Sequence, residues 1–346
     1  MKIFLLNNIN VSDQVYQENY TSLDGAIVIN KSPGFTSTQY LEKVKTLINQ
    51  KLRRLYKEQG RVGELIEKAG HTGTLDPNAS GVLVIFLNNS TKLIPFINKN
   101  KSYVCEVIIG KETDTIDLSG NTLRELKIDR SEANEIIKKI ETLLPEYIRK
   151  FSQHPPVYSS KKIQGKRLYE IASSINTALF KEKVDTVYIN SIKIIDYYYF
   201  LEYHRIQLEI DCSQGTYVRS IIKDISDKIN VPLTLSFLVR KNSNNFTLSQ
   251  SLTIEELKNS SNITDYIIKQ EEILNEFPFV VVNDRTVFKV RNGHSFISQN
   301  VIHIEKKGKY NDRNIFVVKD RRKENLAIAQ SDNLINFKVK RVLKPY

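Results

Sequence analysis

Gly70-His71-Thr72-Gly73-Thr74-Leu75-Asp76-Pro77-Asn78-Ala79-Ser80-Gly81 is a turn-rich passage carrying one carboxylate and one imidazole, and the apolar run Val82 to Leu87 follows it directly. That run reads as a buried strand. Pro77 drives the residue before it, Asp76, toward an extended conformation. The carboxylate is therefore presented from a stiff loop braced by a core strand. Two readings are open at this stage: a reacting side chain, or a solvated turn in which Asp76 bonds neighbouring amides.

Upstream, Gly25 to Asn30 reads as a strand that ends in the turn Lys31-Ser32-Pro33-Gly34. Thr36 with Gln39 has the capping-box pattern. Tyr40, Leu41, Val44, Leu47 and Ile48 recur at helical spacing, predicting an amphipathic helix to about residue 50. Residues 51–69 are densely charged and read as a surface excursion or an extension of that helix, and residues 1–24 as an extended leader or edge element. Downstream, Lys101 to Ile109 reads as a strand, Lys111 to Asn121 as a polar loop, and Ser131 as the cap of a helix closed by Pro145. Ile206, Leu208, Ile210 and Cys212 alternate with polar residues, as a half-buried strand requires. The chain then enters a helix with Ile221, Ile222, Ile225 and Ile229, which places Arg219 near a helix N-terminus. The dipole disfavours a cation there, so Arg219 is either a surface arginine or one with an anionic partner. Residues 252–276 read as helical and acid-rich. From 279 onward, short alternating stretches (280–282, 301–304, 315–318, 337–342) suggest a small β-barrel.

The 346 residues leave room for about two domains. No apolar run approaches the roughly 20 residues that span a bilayer, and Met1 to Leu6 is too short for a signal-peptide core, so a cytoplasmic protein is expected. Cys105 and Cys212 lie in apolar segments and read as packing thiols. The histidines at 71, 154, 204, 294 and 303 show no ligand spacing, so no metal is expected. The net charge is +12 with a pI near 9.4. It concentrates in residues 285–346 (net +10) and 149–183 (net +6). Two separate basic patches beside a candidate active loop point to a polyanionic partner. The second patch, His154 to Glu170, interleaves prolines, tyrosines and lysines. It reads either as an exposed crossover loop or as a segment that grips a nucleic-acid backbone.

Taken together, the motifs resemble the TruB-type tRNA pseudouridine synthases. They are Gly70-His71-Thr72-Gly73-Thr74-Leu75-Asp76-Pro77 with Ala79-x-Gly81, Lys101-x-Tyr103, Thr113-Asp114-Thr115-x-Asp117-x-x-Gly120, Pro155-Pro156-x-Tyr158-Ser159, Gln164 to Glu170, Gly215-Thr216-Tyr217-Val218-Arg219 and Phe237-Leu238. They occur in the family's order over residues 25–240. The tail resembles the family's PUA-type RNA-binding domain in size and position.

The resemblance implies an α/β (α+β) fold, a mixed and mainly antiparallel sheet flanked by helices, in residues 1–276, with a small PUA-like β-barrel domain in 277–346. It implies an isomerase that converts uridine 55 of the tRNA T loop to pseudouridine. Asp76 is the implied nucleophile, with Arg219 as its partner and Tyr103 against the flipped base. Tyr217 and Leu238 line the implied pocket, and His71 contacts the opened T loop. Lys31 is a further substrate-binding candidate. Lys161, Lys166 and Arg167 fall in a thumb-like loop within 149–183 that closes on RNA. The implied partner is tRNA through its T arm, with no membrane, and a monomer is expected. An isomerisation needs no redox cofactor or metal, so no cofactor is expected. The sequence departs from the family at Lys31-Ser32-Pro33-Gly34, in the 51–69 insertion, at Ser160 and at Val239. Competing readings are a non-catalytic RNA-binding module, a guide-RNA-dependent enzyme, and a hydrolase using Asp114 or Asp117 as the second carboxylate that glycosidases require.

Overall fold

The computed structural model of the chain describes residues 22–97, 100–156, 162–163, 166–167, 184–306, 308 and 314–343. The apolar run after the Asp76 loop is a strand, β3 (Ser80–Leu87), and it lies deep in the main sheet. Around it assemble β1 (Gly25–Lys31), β2 (Ala69–His71), β4 (Lys101–Ile109), β7 (Lys150–Gln153), β10 (Asp185–Phe200), β11 (Tyr203–Cys212), β12 (Leu233–Ser243) and two short edge pieces, β13 (Phe246–Thr247) and β14 (Ile268–Lys269). Between β4 and β7 the chain forms the hairpin β5 (Lys111–Thr113) with β6 (Thr122–Glu125); β8 (Lys162–Ile163) pairs β9 (Lys166–Arg167). The main sheet runs β14-β1-β3-β12-β4-β11-β10-β7. Among the described residues its pairings are antiparallel except β3 with β12, which meet in parallel at Val239/Ser80 and Arg240/Gly81. That junction is the mouth of the Asp76 loop. Gly81 has φ +104°, and a Cβ there would lie 2.3 Å from the Arg240 carbonyl oxygen, so only glycine lets β12 come so close.

Helix α1 (Ser37–Glu58) starts on the expected Thr36/Gln39 capping box but runs two turns past residue 50. Leu52 continues the stripe of Tyr40, Leu41, Val44 and Ile48 and is fully buried. Residues 51–58 are thus the helical extension, and the surface excursion begins only after Glu58, where Gly60 adopts φ +64° beyond the helix end. Helix α2 (Arg130–Leu143) is capped by Asp129, not Ser131: Asp129 accepts from the Ser131 and Glu132 amides, and Glu132 reaches back to the Asp129 amide. Glu132 stands three positions after Asp129, and that reciprocal bond decides between the two capping residues. The helix ends at Leu143, and Pro145 lies in the short 3-10 turn that follows. Helix α3 (Val218–Ile229) has the expected isoleucine stripe. Residues 252–276 are broken into Ile254–Asn259, a 3-10 turn, β14 and Gln270–Leu274, not one long helix.

Helices α2 and α3 bury their isoleucines against Cys105, Val107, Leu208 and Ile210 on one half of the sheet; α1 covers Ile27, Ile29, Leu83 and Ile85 on the other. Each such aliphatic side chain contributes about 1.5–3 kcal/mol. A second, six-stranded sheet is formed by β15 (Phe279–Val282), β16 (Phe296–Ile297), β17 (Val301–Glu305), β18 (Ile315–Lys319), β19 (Asn325–Gln330) and β20 (Asn336–Val342), in the order β16-β20-β19-β18-β15-β17. Its two edge strands, β16 and β17, are separated by a single 3-10 turn, Ser298–Asn300, so the sheet curls into a half-barrel. Phe296, Phe316, Phe337 and their neighbours fill its interior, with helix α4 (Asp284–Arg291) across it. Ile315, Val317, Ile328 and Leu343 pack on the opposite face of the main sheet, against Val28, Val84 and Phe86.

Candidate active site

The loop between β2 and β3 is held from beneath by side chains of three other segments. Lys31, at the end of β1, donates its Nζ to the carbonyls of Ser32 (3.0 Å), Pro77 (3.0 Å) and Ala79 (2.7 Å). Ser37, the first residue of α1, bonds both the Leu75 amide (2.8 Å) and the Leu75 carbonyl (3.1 Å). Arg240 on β12 is fully buried and donates to Val82 O (2.7 Å), Gly73 O (3.1 Å) and Thr74 O (3.3 Å). Backbone carbonyls that a tight turn leaves without partners are thus satisfied by buried cations. Lys31, expected as a substrate contact, is instead a fully buried brace. Burial lowers its pKa to about 8, with Asp76 opposing that fall and Arg240 adding to it.

Asp76 accepts from Arg219 Nε at 2.8 Å and from Arg219 Nη2 at 2.9 Å, a bidentate fork across 143 positions of sequence. Charge-assisted pairs of this geometry are about twice as strong as neutral hydrogen bonds and fix orientation as well. Arg219 is the second residue of α3 and is buried; its Nη1 also reaches the Thr115 carbonyl at 3.3 Å. The cation that the helix dipole disfavours therefore has the anionic partner its position demands. Asp114 and Asp117 shape the loop that supplies the Thr115 carbonyl. Asp114 accepts from the Asn121 amide (2.9 Å), and Asp117 from the Ser119 amide (2.9 Å) and the Thr115 hydroxyl (2.9 Å).

The Asp76 side chain is 30% exposed, and it opens on two cavities. One, of about 270 Å³, is bounded by Tyr103, Tyr217, Leu238, Lys101 and the Gln214–Arg219 turn. The other, of about 140 Å³, is bounded by Asn78, Asp117, Ser236 and Phe237. Five expected site residues, Asp76, Tyr103, Tyr217, Arg219 and Leu238, thus converge on the larger cavity. Burial pushes the Tyr103 phenol up to about 12, outweighing the nearby Arg240 guanidinium that hydrogen-bonds it. The phenol therefore keeps its proton at neutral pH and presents an aromatic face. Burial likewise pushes the Cys105 thiol up to about 12 and the Cys212 thiol up to about 11; both are free.

His71 sits on β2 and lines neither cavity. Burial, then Arg240 and Lys101, lowers its pKa to about 4, so the imidazole is neutral at pH 7. Its Nδ1 is buried with no hydrogen-bond partner among the described residues. Lys161 lies outside the described residues. Lys166 and Arg167 form β9, whose backbone pairs with β8.

Sequence reading assigned no role to Ser37, Arg240 or Gln153. Arg240 left a faint signal, since the two-residue strand period puts it on the same face as Leu238. Gln153 left none. Its side-chain amide bonds the Tyr217 backbone, 64 residues away. Among the described residues no cluster of His, Cys, Asp or Glu could hold a metal, and no helix is long and apolar enough to cross a membrane.

Comparison with known proteins places the chain beside pseudouridylate synthases. The model of the TruB family pseudouridylate synthase N-terminal domain matches residues 61–218. The tRNA pseudouridine synthase B of Clostridioides difficile is 34% identical over 273 residues, covering 78% of this chain and 83% of that protein. The tRNA pseudouridine synthase B of Mesoplasma florum is 31% identical over 322 residues, covering 92% of this chain and 97% of that protein. Among solved structures, a Cbf5-Nop10-Gar1 complex contains a chain that matches with a TM-score of 0.63 at 20% identity, covering 93% of this chain and 86% of that one. At that identity the likeness is one of fold.

Proposed function

We propose that this chain, which belongs to the TruB family of pseudouridylate synthases, isomerises uridine in tRNA to pseudouridine, and specifically uridine 55 of the T loop. The observation that carries the reading is a carboxylate held in a two-pronged fork by Arg219 at the wall of a cavity whose other sides are Tyr103, Tyr217 and Leu238. Residues 1–276 are the catalytic domain and 277–346 the PUA-like RNA-binding domain of a cytoplasmic, monomeric enzyme.

The reaction breaks the bond from N1 to sugar C1′, turns the uracil and joins C5 to C1′; the proton leaves C5, and N1 ends protonated. Asp76 supplies the anionic oxygen that attacks the sugar or the ring. Arg219 holds that oxygen aimed at the cavity through its two-pronged, charge-assisted fork. The uridine must leave its stack, which costs a few kcal/mol. Stacking on an aromatic face contributes about 1–3 kcal/mol per base, and Tyr103 and Tyr217 are the faces available. Tyr103, a phenol at neutral pH, is one such surface and remains a candidate for the base that takes the C5 proton. His71, neutral beside two cations, meets the T loop as an uncharged ring.

The test is tritium release from a tRNA transcript labelled at uracil C5, with the modified position then mapped. Wild-type protein releases tritium at a single T-loop uridine, and Asp76→Asn does not. No release from the wild type, or equal release from Asp76→Asn, overturns the reading. Release from another uridine overturns the assignment to position 55. Lys166 and Arg167 carry the RNA grip, so changing both to Ala weakens tRNA binding. It also flattens the plot of log K against log salt by up to about 1.4–1.8, the share of two phosphate contacts.

A further inference from the structure

Tyr217 and Arg219 are neighbours at the start of α3, and both face the cavity beside Asp76. Tyr217 is the N-cap of that helix, yet its own side chain makes no capping bond. Its backbone is instead gripped from β7. Gln153 Oε1 accepts from the Tyr217 amide at 2.8 Å, and Gln153 Nε2 donates to the Tyr217 carbonyl at 3.1 Å. The same carbonyl accepts from the amides of Ser220 and Ile221, opening the helix. One residue on, the His154 carbonyl accepts from the Ser220 hydroxyl at 2.9 Å. Gln153 is 6% exposed, so water cannot take its place cheaply.

We propose that Gln153 is a positioning residue for the pseudouridylation site, its buried amide clasping both backbone groups of Tyr217 so that the first turn of α3 delivers Arg219 to Asp76. The inference rests on the function proposed above. A primary amide offers one donor and one acceptor from the same group, which is what the N–H and C=O of one residue require. Both Arg219 contacts to Asp76 come from a single planar guanidinium. A small rotation of the first turn therefore breaks the fork and moves the Tyr217 ring together. Gln153 does not itself line the cavity beside Asp76, so it acts on turnover through Tyr217 and the helix start.

Three proteins decide the matter: wild type, Gln153→Ala and the isosteric Gln153→Glu, assayed by tritium release from C5-labelled tRNA between pH 5.5 and 8.5. Gln153→Ala lowers kcat by about 10–100-fold, the scale of a misplacement near 1 Å, with KM for tRNA unchanged and the ratio to wild type flat with pH. Gln153→Glu keeps the acceptor for the Tyr217 amide, but when ionised it sets a carboxylate oxygen against the Tyr217 carbonyl. Its kcat recovers toward wild type as acid protonates it and restores the donor. Wild-type kcat in Gln153→Ala, a change confined to KM, or a Gln153→Glu ratio flat with pH each overturns the proposal. Where Gln153→Ala does not fold, Gln153→Glu carries the test alone through its pH profile.

Hydrogen exchange of the Tyr217 amide in the free protein needs no substrate. It is slow in wild type and faster in the variants, and unchanged exchange overturns the clasp. A wild type that releases no tritium overturns the function instead, and the exchange result still stands for the clasp.

Discussion

Glu106 on β4 and Asp76 in the loop before β3 are both paired with an arginine at the main sheet, and their surroundings differ in almost every other respect. The Glu106 side chain is 6% exposed and its partner Arg205 10%. Its two oxygens are taken by Arg205, Ser236 and Tyr198, drawn from β11, β12 and β10. Burial opposes its ionisation, but the hydrogen bonds from Ser236, Tyr198 and Arg205 outweigh that and hold its pKa below the usual 4.5. Asp76 takes both of its hydrogen bonds from one residue, Arg219, and turns its remaining surface to two cavities. A carboxylate saturated from several strands ties those strands together. One oriented from a single side keeps lone pairs for a reactant. The chemistry of the two groups is the same, and what separates the structural carboxylate from the one proposed to react is how many of the lone pairs the fold has spent.

Substitution breaks this comparison most directly. Asp76→Asn lowers tritium release by about 10³-fold or more, some 4 kcal/mol on the barrier. Its stability falls by about 1–3 kcal/mol, since the cavities admit water to Arg219 and the Thr115 carbonyl still accepts from it. Glu106→Gln does the reverse. It leaves Arg205 buried without an anion, which costs about 3–5 kcal/mol in stability. Tritium release per folded molecule stays at the wild-type level. Denaturant titration beside the activity assay reads both. Equal stability losses, or an equal loss of turnover, would erase the distinction.

The same contrast explains what could be read from the sequence. Strands with strict periodicity, such as Ile206 to Cys212, were legible because burial of one face writes a two-residue pattern. Asp76 was legible as a stiff turn, and Arg219 as a cation in an uncomfortable place, but their meeting depends on β12 lying parallel to β3. The two last turns of α1 could be read either as surface excursion or as helix, because Arg53, Arg54, Lys57 and Glu58 crowd the exposed side, leaving Leu52 as the one buried residue there. Asp129 and Ser131 are both good caps, and only the reach of Glu132 back to residue 129 separates them. Arg240, Lys31 and Gln153 brace backbone carbonyls and amides from the interior. A side chain spent on backbone leaves no period and no motif chemistry, so its role waits for coordinates.

Acid separates the two regions along one axis. The His71 pKa is about 4 in the folded protein against an ordinary 6.5, lowered by burial and then by Arg240 and Lys101. Between those values the unfolded chain binds a proton that the folded chain refuses, so stability falls as pH drops from 6.5 toward 4 and returns as pH is raised. Glu106 has the opposite displacement, its pKa held below 4.5. Its contribution is fully present above that pH and is lost only as pH falls through the lower folded value. Thermal melts of wild type, His71→Gln and Glu106→Gln across pH 3 to 7 resolve the two. Relative to wild type, His71→Gln gains stability steadily from pH 6.5 to 4, because it has no imidazole to charge. The deficit of Glu106→Gln stays constant above pH 4.5 and shrinks only below it. If the His71→Gln difference is flat between pH 6.5 and 4, the imidazole is not held neutral by its cationic neighbours.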